Sequence, residues 1–188
     1  AQPLALGTEV FGYTKQEDSN NYDPPRWFCG SGSGTGPEEV FQFTSPIDGT
    51  VCFDTSGTAF DTVVYIRRFE DCEDTNRTLE CDDDSGMGNS GLLTFDVAVG
   101  ETYALFVDGY SRSKYGNFTL RSYWGQNGSC EQGATLCANS SECAFNEMCL
   151  NVSGNEVVDG FGQCELLICS TDQHCGGDMC VDNRCASN

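Results

Sequence analysis

The sequence is poor in the residues that usually do chemistry. Of its 188 residues one is a histidine, His174, and nine are Lys or Arg against 29 Asp and Glu, a formal net charge of −20. A surface this acidic repels nucleic acid and anionic lipid, which argues against both as partners. No apolar run is long enough to span a membrane. A Gly-x-Ser-x-Gly elbow, a His-Glu-x-x-His pair and a phosphate-binding glycine loop are all missing. His174 sits beside Cys175, Gly176 and Gly177, in a loop with no rigid scaffold to orient it as a base, and reads as a solvent-exposed loop residue. With 29 acids some carboxylate pair is inevitable, so a glycosidase-like pair has no specificity. These absences point away from an enzyme.

What is abundant is cysteine and glycine, 13 and 22 residues, beside a hydrophobic fraction of 38%. Thirteen cysteines in a chain of this size imply disulfides and an oxidising compartment, so a secreted, extracellular or cell-surface location is expected. A metal–thiolate protein would need CxxC ligand pairs. The closest spacings, Cys164 to Cys169 and Cys175 to Cys180, have four residues between them. The opening AQPLALGTEV lacks the charged start and apolar centre of a signal peptide, and reads as the mature end left after one is removed. Asn76, Asn117, Asn127, Asn139 and Asn151 each begin an Asn-x-Ser/Thr sequon, and a heavily glycosylated surface is expected in a eukaryotic secretory pathway.

Taken in order, residues 1–37 give one strand, Glu9 to Thr14, and then a polar arm rich in Asn, Pro and Gly. Trp27 and Phe28 beside Cys29 are expected to anchor that arm to the core. Alternating stretches follow at Val40 to Thr44, around Val51 and Phe53, from Phe60 to Arg67, from Leu93 to Val99, from Thr102 to Val107 and from Tyr115 to Trp124. Ser45-Pro-Ile-Asp-Gly49, Ser56-Gly57, Gly100 and Asp108-Gly109 mark reversals between them. Short strands without a helical period indicate an all-β domain, an antiparallel β-sandwich or jelly roll over residues 38–124. In the central strand Thr62, Val64 and Ile66 are expected to face inward, opposite Val63, Tyr65 and Arg67. In the last, Asn117 and Thr119 share the solvent face while Phe118 and Leu120 share the core face.

Cys29, Cys52, Cys72 and Cys81 fall inside this part of the chain. The simplest closure is Cys72–Cys81 with Cys29–Cys52, one of three connectivities that four cysteines allow. A Cys72–Cys81 bridge would contribute about 2.7 kcal/mol by loop closure. Residues 125–129 read as a linker. From Cys130 onward nine cysteines occur in 59 residues with little apolar material, so residues 130–188 form a loop-dominated, disulfide-stapled module. Cys137, Cys143, Cys149 and Cys164 parallel Cys169, Cys175, Cys180 and Cys185, two small units each paired first to third and second to fourth. Cys130 is left over: free, linked to another chain, or absorbed by a different division of the units.

FDTVVYI, the cysteines 72 and 81, CDDDSG, then SGLLTFDVAVGETYALFVDGY and YGNFTL occur in this order between about Glu38 and Trp124. This part of the chain resembles the bacterial pre-peptidase C-terminal (PPC) type of β-sandwich. The resemblance implies an extracellular, non-catalytic appendage or binding module.

Asp82, Asp83 and Asp84 follow Cys81 directly, and close carboxylates repel one another until a cation neutralises them. Ca2+ takes six to eight hard oxygens. The three aspartates, with Asp61 on the preceding strand and Asp108 at a later turn, form the candidate metal site; the competing reading is a solvated acidic turn. The run is not an EF-hand, which needs alternating acids, a glycine and a distant glutamate. The expected function is a calcium-stabilised structural module that assembles with copies of itself into a fibre or surface layer, through strand edges or the N-terminal arm. The alternative is a module that binds glycans or matrix proteins through an aromatic strip of Tyr110, Tyr115, Tyr123 and Trp124.

Overall fold

The computed structural model describes residues 1–16, 22–25, 29, 34–125 and 128–130, together with five short strands nearer the C-terminus. The chain divides into two compact units, Ala1–Gly133 and Ala134–Asn188.

The first unit is a β-sandwich of nine strands: β1 (Gln2–Pro3), β2 (Glu9–Tyr13), β3 (Glu39–Thr44), β4 (Gly49–Asp54), β5 (Thr62–Arg68), β6 (Glu80–Asp82), β7 (Leu92–Val97), β8 (Thr102–Gly109) and β9 (Asn117–Trp124). One sheet runs β1-β3-β8-β5-β6 and the other β2-β9-β4-β7. All pairs are antiparallel except β1 on β3, which is parallel. The alternating residues do what their period requires: Phe41, Phe43, Val64, Ile66, Leu105 and Val107 of one sheet meet Val51, Phe53, Leu93, Phe118 and Leu120 of the other in a single core.

The segment 1–37 is more than a lead-in. β1 extends one sheet and β2 the other, so the sandwich begins at the first residues rather than at residue 38. Val99, expected to belong to the strand from Leu93, is exposed beyond the end of β7.

The central strand departs most from expectation. β5 is buried on both faces, because Val63, Tyr65 and Arg67 are covered as fully as Val64 and Ile66. On the outer side Tyr65 stacks on Phe106 at 4.6 Å between ring centroids, and Tyr22 of the arm packs on Phe106 at 5.6 Å. The Arg67 guanidinium lies 5.1 Å from the Tyr65 ring centre and 4.7 Å from that of Phe106. Its nitrogens donate to Thr78 Oγ1 (3.1 Å) and to the carbonyls of Cys72 (2.7 Å), Tyr22 (2.9 Å) and Asp23 (3.0 Å). The arm is therefore held down by a buried cation whose donors are spent on the chain that covers it.

The disulfides correct the sequence reading. Cys29 bonds Cys81 and Cys52 bonds Cys130, in place of Cys72–Cys81 and Cys29–Cys52. Cys29 reaches Cys81 because the arm crosses β5 toward the sheet edge at β6. Cys52 faces outward from the second sheet, where the segment after Trp124 returns over it: the Gly125 amide donates to the Thr50 carbonyl at 2.9 Å. Cys130, expected to be left over, is thus tied to β4, and Gly125 and Gly128, from the stretch read as a linker, lie near Thr50. Cys72 is the free cysteine among the described residues.

In the second unit β10 (Leu136–Cys137), β12 (Gly162–Leu166) and β11 (Glu147–Leu150) form one small sheet, and β13 (Met179–Val181) pairs with β14 (Arg184–Ala186). Cys149 stands across from Cys164, and Cys180 across from Cys185. Cys143, Cys169, Cys175, His174, Trp27, Phe28, Asn127, Asn139 and Asn151 lie outside the described residues.

Two outcomes follow. Non-reducing peptide mapping will recover Cys29–Cys81 and Cys52–Cys130 and will find Cys72 alkylated without reduction; a Cys72–Cys81 peptide would contradict the fold. Arg67→Ala will lower unfolding free energy in urea by about 3 kcal/mol or more, and Arg67→Lys will not restore it, since an ammonium cannot reproduce the planar fork. A loss below about 1 kcal/mol would show that the arm is held by something else.

Candidate metal centre

Asp61 stands just before β5, held where the Tyr110 amide donates to its carbonyl at 3.0 Å. Asp83 and Asp84 follow β6, which pairs with β5 in the register Tyr65 to Cys81. One carboxylate oxygen from each of Asp61, Asp83 and Asp84 lies within 4.8 Å of the others. The loop that carries them is braced independently of any ion. The Gly86 amide donates to the Ser90 carbonyl at 2.7 Å, the Thr62 amide to the Asn89 carbonyl at 3.1 Å, and the Met87 amide to Ser56 Oγ at 2.9 Å. A Cβ at Gly86 would come within 2.5 Å of the Ser90 carbonyl oxygen, so the turn requires glycine.

Of the five aspartates expected to share a cation, the structure joins these three and leaves two out. Asp82 is already used: its carboxylate accepts from the Ser85 amide (3.1 Å), the Ser85 hydroxyl (2.6 Å) and the Leu92 amide (2.7 Å). It shapes the turn. An Asp followed three residues later by Ser is the local signal for that role. Asp108 lies on β8 opposite Val63, fully buried, with Tyr65 Oη at 3.4 Å from its carboxylate. Its electrostatic neighbours are Glu38 and Asp23. Burial first, then those two acids, push the Asp108 carboxyl well above its ordinary range. Nothing in the local sequence announces this second acidic group, because its members come from the arm, the start of β3 and the end of β8.

The electrostatics of the trio suit a cation. Asp83 is only 8% exposed, and Oδ1 of both Asp61 and Asp83 is buried without a hydrogen-bond partner. Burial, followed by repulsion from Asp84, Asp61 and Asp82, raises the Asp83 carboxyl to about 7. Asp61 is raised as well, by burial and by Asp84, against the opposing pull of Lys114, whose Nζ is 3.7 Å from Asp61 Oδ2. The three carboxylates bring one hard oxygen each together, three of the six to eight that Ca2+ takes.

No family model matches the chain, and no curated protein matches it. Among solved structures it is similar to the pre-peptidase C-terminal domain of a collagenase from Bacillus anthracis, at 14% identity and a TM-score of 0.42, over 64% of this chain and 92% of that one.

Among the described residues, the glycosylation and adhesion features fall as follows. Asn76 is exposed on the short turn Thr75–Arg77, and Asn117 is exposed at the start of β9 with Phe118 buried beneath it. The aromatic strip does not form: Tyr123 is 2% exposed, Tyr110 and Trp124 pack against the two hydrophobic clusters, and Tyr115 alone is exposed.

The Asp83 shift sets a pH dependence. Its folded-state value of about 7 stands above the ordinary 3.8, so between the two the folded chain keeps a proton that the unfolded chain releases. In metal-free buffer stability will therefore fall as pH rises from about 4 to about 7. Asp83→Asn, which fixes the neutral form, will flatten that fall in melting temperature. A wild-type melting temperature that climbs through the same window would contradict the assignment.

Proposed function

We propose that this chain is an extracellular, non-catalytic structural module that binds calcium through Asp61, Asp83 and Asp84. The observation that carries the reading is the pair of buried, unpartnered oxygens on Asp61 and Asp83, placed within reach of Asp84 on a loop whose shape is already fixed. Buried ionised carboxylates left in this state cost free energy that a divalent cation would recover. Such a cation would link the residue before β5 to the loop after β6, beside the Cys29–Cys81 bridge.

Assembly with copies of itself, into a fibre or surface layer, belongs to the same reading. A charge of −20 keeps copies apart until divalent cations neutralise part of it. Strands β2 and β7 end the second sheet on either side and offer unpaired edges. Adhesion to glycans or matrix proteins is the weaker reading, since the aromatic strip expected to carry it is largely packed away.

Calorimetric titration will find calcium binding with Kd of about 0.1–1 mM, the range of extracellular modules. Calcium at about 100-fold over Kd will add about 2.7 kcal/mol of stability. Asp83→Asn will weaken binding at least tenfold (about 1.4 kcal/mol) while leaving the metal-free protein folded. Sedimentation velocity with calcium will show species larger than the monomer. An unchanged melting temperature with and without calcium would remove the metal from the account, and a strictly monomeric mass at high concentration would remove the assembly.

A further inference from the structure

Strand β2 presents both of its rings to solvent. β2 turns Val10 and Gly12 to the core and Phe11 and Tyr13 to solvent, the reverse of what burial of apolar area favours. Gly12 is required inside, since a Cβ there would overlap the Phe118 ring. Outside, Phe11 is 76% exposed and Tyr13 51%; no other large apolar side chain among the described residues is as exposed as Phe11. Elsewhere on this outer face Cys52 and Tyr123 are buried, and the Cys52–Cys130 bridge ties the returning segment to β4. The bare part is the corner where β2 meets β9.

That corner holds a sequon. Tyr13 pairs with Asn117 and Phe11 with Thr119, so Asn117 and Thr119, the first and third residues of the sequon, lie along the same outer face as the two rings. Directly opposed residues on an antiparallel pair place their Cβ atoms about 4.5–5.5 Å apart, and diagonal ones about 7–8 Å. A sugar on Asn117 Nδ2 therefore starts beside the Tyr13 ring, with Phe11 one diagonal step away.

We propose that Phe11 and Tyr13 are the seat of an N-linked glycan carried by Asn117, whose first sugars lie against the two rings. The inference rests on the extracellular reading above but not on its calcium site. The weakly polar C–H face of an N-acetylglucosamine suits an aromatic face, and its hydroxyls keep the outer surface wet. Attachment one residue away gives the sugar a high effective concentration at the rings, which no diffusing partner has. Assembly with copies through a strand edge, as at β7 on the far side of this sheet from β2, leaves this face to the sugar.

The test uses the full chain secreted from a eukaryotic cell line. Peptide mapping is expected to find Asn117 occupied, and the glycoform trimmed to one N-acetylglucosamine is expected to melt about 3 °C above Thr119→Val, which removes the sequon without touching the hydrogen bonds that the backbone of residue 119 makes with the Thr58 hydroxyl. In a Phe11→Ser, Tyr13→Ser background that difference should vanish. On the wild-type protein alone, the N-acetyl methyl proton resonance of the Asn117 sugar should be shifted upfield by the rings. An unmodified Asn117 beside an occupied Asn76, equal melting temperatures with the rings intact, or a methyl resonance at the free-sugar position would each overturn the proposal. Calcium titration of the same material reports separately on the module reading.

Discussion

A strand covered on both faces must compensate every charge near its ends, and β5 is such a strand. Val63, Tyr65 and Arg67 are shut off from water by the arm, as Val64 and Ile66 are by the other sheet. At one end this puts the Arg67 cation where solvent cannot reach it. The protein compensates it with two ring faces, one hydroxyl and three carbonyls. Just before the other end stands Asp61, next to Asp83, and there compensation is incomplete: one oxygen of each is buried with no donor, and Lys114 reaches only the other oxygen of Asp61. A buried cation with its acceptors and a carboxylate cluster without its donors are two consequences of one packing choice.

The same packing explains what could be read along the chain and what could not. The alternation at Asn117, Phe118, Thr119 and Leu120 was legible because period 2 alone decides which side faces the core. Arg67 was not, because its position in the alternation puts it on the outer face and only the folded arm makes that face an interior. β6 is three residues long and charged, so no periodicity marks it, yet it brings Asp83 beside Asp61. Asp82 and Asp84 look alike in the run CDDDSG; the hydrogen bonds to Ser85 and Leu92 separate the turn-former from the residue that joins Asp61 and Asp83. Asp108 needed the strand order, since its partners Glu38 and Asp23 are distant in sequence.

Cysteine pairing follows the same division. Counting gave the odd thiol but not its place, because proximity in sequence favoured Cys72–Cys81 while the path of the arm brings Cys29 there instead. The Cys52–Cys130 bond closes a separation of 78 residues and joins the segment after the last strand to the sandwich. Long closures of this kind remove about 4 kcal/mol of unfolded-chain freedom each. In a chain with a modest apolar fraction they let exposed loops carry acidic side chains without loss of shape.

The claim on which the functional account turns is that the carboxylates of Asp61, Asp83 and Asp84 hold a metal ion. The most direct measurement is diffraction from crystals grown in calcium and collected at a wavelength where calcium scatters anomalously. The account predicts an anomalous peak with an oxygen of each aspartate at about 2.3–2.6 Å from it. Density that is only a water between protonated carboxyls, or the Lys114 ammonium seated among them, would contradict it.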